Sequence, residues 1–188
     1  MIYDNAMKQL AAIRDRGVFH FDPATVEQGS NEWLYMRLGV LSASRADAIL
    51  AGAKTATRRT YMAELVNAVA SCTVSMGGKF KQMEWGHEHE DDARDSLSLE
   101  IGEDIKELPF IYKDESMRAG CSPDGVMGKR MAEIKCPFDG TTFIKFSCFD
   151  DVKKEYEKQQ QMQMWVSGAE ANIFCNYDPR MQLSKKLH

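Results

Sequence analysis

In this 188-residue chain the hydrophobic period changes once, near Gly102, and that switch narrows the folds open to it. Before it, apolar residues recur at helical spacing. Ser30 is placed to cap a helix carrying Trp33, Leu34 and Leu38; Ser42 or Ser44 is placed to cap a second with Ala46, Ile49 and Leu50. Tyr61, Leu65, Ala68 and Val69 keep one face over residues 60–72, Gly77-Gly78 breaks the pattern, and a charged helix runs from Met83 to Glu100. Beyond Gly102 the spacing is that of strands: Ile105 to Tyr112, with Pro109 making it an edge or bulged; Arg118 to Ser122 after a turn at Asp114-Glu115-Ser116; and Met131 to Cys136, ended by Pro137. A polar helix over residues 151–167 stops at Gly168, and Ala171 to Tyr177 is an apolar strand ended by Asp178-Pro179. Helix, three strands, helix, strand predicts an α/β fold, a mixed sheet flanked by helices. Residues 83–180 form its core, and residues 1–82 a mainly helical part covering one side.

The length fits one domain over residues 1–188. With 44% hydrophobic and 28% charged residues the composition is globular. No stretch approaches the roughly 20 apolar residues of a membrane span, and Met1-Ile2-Tyr3-Asp4-Asn5 lacks the layout of a signal peptide. Five widely spaced cysteines with no C-x-x-C pair predict free thiols, a reducing cytoplasmic compartment and no cysteine zinc site. A net charge of −4 argues against a generic nucleic-acid-coating protein. Basic residues do cluster, at Lys54, Arg58 and Arg59 and at Lys79 and Lys81, although a solvated surface accounts for either cluster alone.

The chemistry concentrates in Ser122-Pro123-Asp124-Gly125 followed by Glu133-Ile134-Lys135. Alternation along a strand puts Glu133 and Lys135 on one face with Ile134 turned into the core. Asp124 converges on that face if the two segments pair. Two carboxylates ~4 Å apart repel by roughly 4 kcal/mol at an effective dielectric of 20, so both stay ionised only around a cation. All-oxygen ligation favours Mg²⁺ or Mn²⁺ over zinc, and such a centre cuts phosphodiesters. Lys135 would orient water, neutralise charge, or act as a base if its pKa is depressed. The plainer account of the same residues is a Pro-Asp-Gly turn and an ordinary exposed strand. A third acid weighs against it: Glu90 shares a helical stripe with Ala93, Arg94 and Leu97 and can reach the sheet. Glu88, Asp91 and Asp92 are expected to face water, as are His87 and His89.

Several collinear blocks carry a resemblance. They include Glu27-Gln28-Gly29, Trp33, Arg37-Leu38-Gly39-Val40, Ala43-Ser44, Trp85-Gly86, Asp92-Ala93-Arg94, Cys121-Ser122-Pro123-Asp124-Gly125, Lys135-Cys136-Pro137-Phe138, Met164-Trp165-Val166 and Asn176-Tyr177-Asp178-Pro179-Arg180-Met181. Over residues 27–181 the chain resembles the phage lambda exonuclease family, the YqaJ-type viral recombinases, within the PD-(D/E)-x-K nucleases. The resemblance implies a restriction-endonuclease-like αβββαβ core and a Mg²⁺-dependent 5′→3′ exonuclease on double-stranded DNA ends. Such an enzyme leaves 3′ single strands for a phage annealing protein. It implies that Asp124, Glu133 and the Ile134 carbonyl bind metal, that Glu90 supports a second ion, and that Lys135 positions the attacking water. Arg37 and Ser44 match positions that hold the 5′-phosphate, which suits a guanidinium fork. Gln159 matches a glutamine near the metals, with Gln161 the alternative if the register slips. Met83 matches an apolar wedge against the terminal base pair. A ring-shaped homotrimer around DNA is implied as well, and topological retention would make an acidic subunit less puzzling. Departures are the end at His188, before a further strand and helix, and residues 52–60, which leave open whether Lys54, Arg58 or Arg59 meets phosphate. A structure-specific or restriction-like endonuclease on the same core, or a non-catalytic DNA-binding recombination module, are the competing readings.

Overall fold

The computed structural model describes residues 1–73, 80–149 and 151–181, without the side chains of residues 80 and 83. The Gly77-Gly78 break, Lys79 and the side chain of Met83 therefore lie outside the described residues. The chain opens with a helix that sequence reasoning did not anticipate, α1 (Ile2–Asp15). Its buried residues Ile2, Ala6, Leu10 and Ile13 recur at helical spacing. Helix α2 (Asn31–Met36) begins where Ser30 accepts from the Trp33 amide, as expected of a cap, and ends before Leu38. There follow a two-residue strand, β1 (Leu41–Ser42), then α3 (Ala46–Leu50), α4 (Ala56–Ser71) and α5 (Phe80–Ile101). Neither Ser42 nor Ser44 caps α3, which follows Arg45; Ser42 precedes a 3-10 turn (Ala43–Arg45) without a side-chain cap bond, and both hydroxyls accept from Arg37. On α4 only Tyr61 is buried, and Val69 is exposed although its spacing had put it on the inner face.

Strands β2 (Ile111–Tyr112), β3 (Ala119–Cys121), β4 (Gly125–Met127) and β5 (Arg130–Lys135) come next, then α6 (Gly140–Phe149), α7 (Lys154–Ser167) and β6 (Ala171–Asn176). They make two small mixed sheets in place of one. The first has the order β1-β3-β2, with β1 parallel and β2 antiparallel to β3. The second has the order β4-β5-β6, an antiparallel hairpin through Gly128 with β6 added parallel to β5 after the helical crossover. The segment expected to be one strand, Ile105 to Tyr112, serves both: Lys106 bridges Val126, and Tyr112 pairs with Gly120. It breaks between them at Leu108-Pro109 because proline has no N–H to give a ladder. The β3–β4 segment breaks in the same way at Ser122-Pro123-Asp124. Gln28 spans both breaks, its side-chain amide donating to the Leu108 carbonyl at 2.7 Å and to the Pro123 carbonyl at 2.9 Å.

Packing places the acids. The second sheet lies between α5, whose Ala93 and Leu97 meet Ala132 and Ile134, and α7, whose Val166 clusters with Met131. In the first sheet Gly120 is required by close approach: a Cβ there would lie 2.2 Å from the Phe110 ring. Helix α1 closes the free edge of β2, where the Gln9 side chain both donates to the Tyr112 carbonyl and accepts from its amide.

Candidate active site

Glu133 is completely buried on β5, facing α7. An isolated buried carboxylate is costly, so its partners define the site. Oε1 accepts from the Lys135 ammonium and from Gln159 Nε2 at 2.6 Å; Oε2 accepts from Gln163 Nε2 at 2.6 Å. Gln159, and not the exposed Gln161, is thus the glutamine that reaches the acid. Asp124 sits in the Pro-Asp break between β3 and β4, where Oδ2 accepts from the Ile134 amide at 2.7 Å. Lys135 Nζ stands 4.0 Å from that oxygen and also donates to the Ile134 carbonyl at 3.1 Å. The Tyr156 ring lies 5.3 Å from the same ammonium. Alternation along β5 and the turn before β4 therefore bring Asp124, Glu133 and Lys135 together.

Helix α5 supplies Glu90, with Ala93 and Leu97 buried behind it and Glu88, Asp91 and Asp92 exposed as the period requires. Arg94 ties this helix to the turn: it donates to the Asp124 carbonyl at 2.8 Å, to Glu90 at 3.1 Å and to Asp91 at 2.7 Å. His87 is exposed, but His89 is not. Its ring packs edge-on against Trp85 at 4.0 Å, and both ring nitrogens are buried with no hydrogen-bond partner among the described residues. Helical spacing alone missed this because Trp85, one turn back, covers it.

Burial and neighbouring charges shift the groups of this site. Burial, and then Glu133, raise the Asp124 pKa well above the ordinary carboxylate value, with Lys135 opposing. Burial raises Glu90 too, against Arg94 and Lys135. For Lys135 burial works against the charge, but Glu133 and Asp124 outweigh it and the pKa ends above that of a free lysine. A base role requiring a depressed pKa is opposite to what these neighbours produce. Among the described residues no three His, Cys, Asp or Glu side chains are gathered closely enough to hold a metal ion; Lys135 and the two glutamine amides bond Glu133, the Ile134 amide bonds Asp124, and Arg94 bonds Glu90. The donors nevertheless fit a hard divalent cation. They are all oxygen (Asp124, Glu133, the Ile134 carbonyl and Glu90), and three carboxylates face a single lysine there.

A second polar cluster adjoins the first. Arg37 stacks over Trp33, its guanidinium carbon 4.0 Å from the ring, and donates to Ser42 at 3.1 Å and Ser44 at 3.2 Å. Among the described residues no carboxylate pairs with it, and burial pushes its pKa down to about 10. Trp33 Nε1 in turn donates to Ser122 at 2.8 Å and to the Pro109 carbonyl at 3.1 Å. Trp33 and Ser122 thus run from the arginine to the residue two before Asp124. Sequence reasoning missed the structural parts of this site: Gln28 across the strand breaks, Arg94 on the turn, and Gln163 under Glu133. The signal for Gln163 was a polar residue one turn after Gln159 on a face that continues to Val166. Gln28→Ala is expected to cost about 1–3 kcal/mol by stranding two carbonyls, read in urea denaturation, with loss of activity following from the loosened turn.

Residues 32–170 match the YqaJ-like viral recombinase domain. The structure is similar to that of an alkaline exonuclease (LHK-Exo) from Laribacter hongkongensis, at 34% identity and a TM-score of 0.76 over 85% of this chain and 79% of that one. It is also similar to LHK-Exo in complex with dAMP, at 35% identity and a TM-score of 0.73 over 81% and 76%. A phage-related exonuclease from Haemophilus somnus 129PT shares the fold at 19% identity, with a TM-score of 0.60 over 73% and 68%. No curated protein sequence matches the chain. With the family match spanning most of the chain and the strand breaks, acids and lysine disposed as described, the chain belongs to the YqaJ-like viral recombinase domain family.

Proposed function

We propose that this chain is a Mg²⁺-dependent 5′→3′ exonuclease acting on double-stranded DNA ends. It leaves 3′ overhangs for a single-strand annealing protein in phage-type recombination, in the bacterial cytoplasm. The observation that carries the reading is the joining of an acid centre to the Arg37 cluster through Trp33 and Ser122. The likeness to an alkaline exonuclease at 34% identity supports it. Residues 1–188 work as one nuclease domain, residues 1–82 contributing Arg37 and Ser44 and residues 83–180 the acids.

Asp124, Glu133 and the Ile134 carbonyl hold the catalytic ion, Glu90 supports a second, and Mn²⁺ substitutes. Bound Mg²⁺ polarises the phosphate and lowers the pKa of water. Lys135, kept protonated by Glu133 and Asp124, orients the attacking water and offsets charge that develops on phosphate. Gln159 holds the Glu133 carboxylate at Oε1. Arg37 and Ser44 bind the terminal 5′-phosphate, and the Arg37 site suits an anion because the half-buried guanidinium pairs with no carboxylate among the described residues. A homotrimeric ring would retain DNA by topology despite a net charge of −4; a monomer in light scattering at working concentration removes that part of the reading. The function itself is tested on covalently closed circular and linear duplexes of the same sequence. Release of nucleotides from linear DNA only, starting at 5′ ends, is expected. Internal cutting of closed circles would make the enzyme an endonuclease instead.

A further inference from the structure

Each oxygen of the buried Glu133 accepts from a glutamine of α7, but only Oε1 also meets a charge. Oε1 accepts from Gln159 at 2.6 Å and from Lys135, which also approaches Asp124. Oε2 points into α7, where Gln163 donates to it at 2.6 Å. Gln163 is itself fully buried, and its Oε1 accepts from Asn172 Nδ2 of β6 at 2.6 Å. An ionised carboxylate only accepts hydrogen bonds, so Gln163 must turn its NH₂ to Glu133 and its carbonyl to Asn172. Asn172 must then offer its NH₂, and its own buried carbonyl is left without a partner among the described residues. The direction of every link follows from the charge on Glu133. An unpaired buried carbonyl is unfavourable, so the fold retains this arrangement against a local cost.

We propose that Gln163, oriented by Asn172, is a positioning residue for metal binding by Glu133. Its hydrogen bond pins Oε2 within the helix interface and fixes the carboxylate plane, so that Oε1 is presented on the side shared with Asp124 and Lys135. This deepens the reading of the acid centre as a divalent-metal site and rests on it. A purely structural Gln163 would merely satisfy a buried acid, and its loss would lower stability without changing the affinity of the folded protein for metal.

The test is calorimetric titration of the full chain with Mn²⁺ in the absence of DNA, alongside thermal melting of the metal-free proteins. Gln163→Leu is expected to weaken Mn²⁺ binding about tenfold to a hundredfold, the usual consequence of losing a group that orients a metal ligand. Asn172→Leu, which touches neither Glu133 nor the ion, should weaken it in the same direction. Because Asn172 acts through Gln163, the double variant should bind no worse than Gln163→Leu alone. Parent-like Mn²⁺ affinity in Gln163→Leu, or losses that add in the double variant, would overturn the proposal. Should Gln163→Leu fail to fold, parent-like affinity in Asn172→Leu overturns it. A parent protein that binds no Mn²⁺ would remove the metal reading itself and the relay with it, whereas parent-like variants remove the relay alone.

Discussion

Asp124→Asn is expected to abolish Mg²⁺-dependent nucleotide release and at the same time to raise the melting midpoint of the metal-free protein. The loss follows from chemistry: a metal site contributes several kcal/mol to the transition state, and several kcal/mol is about three powers of ten in rate. The gain follows from electrostatics. Burial and Glu133 hold the Asp124 pKa above its unfolded value, so the folded state binds this proton more tightly than the unfolded chain does. Stability from this group is fully present below the ordinary carboxylate pKa of about 3.9 and is lost as pH rises through the folded value. Asparagine keeps an oxygen to accept from the Ile134 amide and removes the charge. Its advantage should therefore be clear at neutral pH and vanish in acid, where Asp124 is protonated in both states. Mg²⁺ should reverse the order, because an ion that binds only the folded parent stabilises it by mass action. Melting curves at neutral and acid pH, with Mg²⁺ and with chelator, read all of this. A metal-free variant less stable than the parent at neutral pH would contradict the charge assignment.

Arg37→Ala should slow digestion of 5′-phosphorylated ends far more than of 5′-hydroxyl ends. Hydrogen bonds to a charged group contribute about 1.5–3 kcal/mol, which corresponds to roughly ten- to hundredfold in rate on phosphorylated ends. On hydroxyl ends the guanidinium has no terminal phosphate to meet, and the change should be small. Arg37→Lys should recover only part of the loss, since an ammonium neither stacks flat on Trp33 nor offers two parallel donors. Rates on matched duplexes differing only in the terminal phosphate give the comparison, and equal slowing on both ends would refute the phosphate role.

How much of this was legible in the sequence depended on whether a residue's environment is set by its own element. The stripe Glu90, Ala93, Arg94, Leu97 follows from the helical period, and the shared face of Glu133 and Lys135 from strand alternation; both stand in the structure. Gly168 stops α7 in the left-handed conformation, as its position suggested. The family and the α/β class were legible because they rest on collinear blocks and element order. What was hidden depends on partners distant in sequence. Residues of β4 are buried on both faces, so no alternation marks the strand. The run Gly140–Phe149 carries a single charged residue, Lys145, and exposes Phe149, so its polar face is faint, and β1 is only two residues long. Ser42 and Ser44 look like helix caps until Arg37 is brought against them. Whether Lys135 holds its proton is likewise decided by Glu133 and Asp124 around it, which no local pattern records.

If Asp124, Glu133 and Lys135 form a divalent-metal centre that hydrolyses DNA from an end, activity needs both the ion and Glu133. The most direct measurement is release of labelled nucleotide from linear duplex by the parent protein and by Glu133→Ala, each with Mg²⁺ and with chelator. Release is expected from the parent with Mg²⁺ alone, and none from Glu133→Ala under either condition. Release by the variant at the parent's rate, or by the parent in chelator, would contradict it.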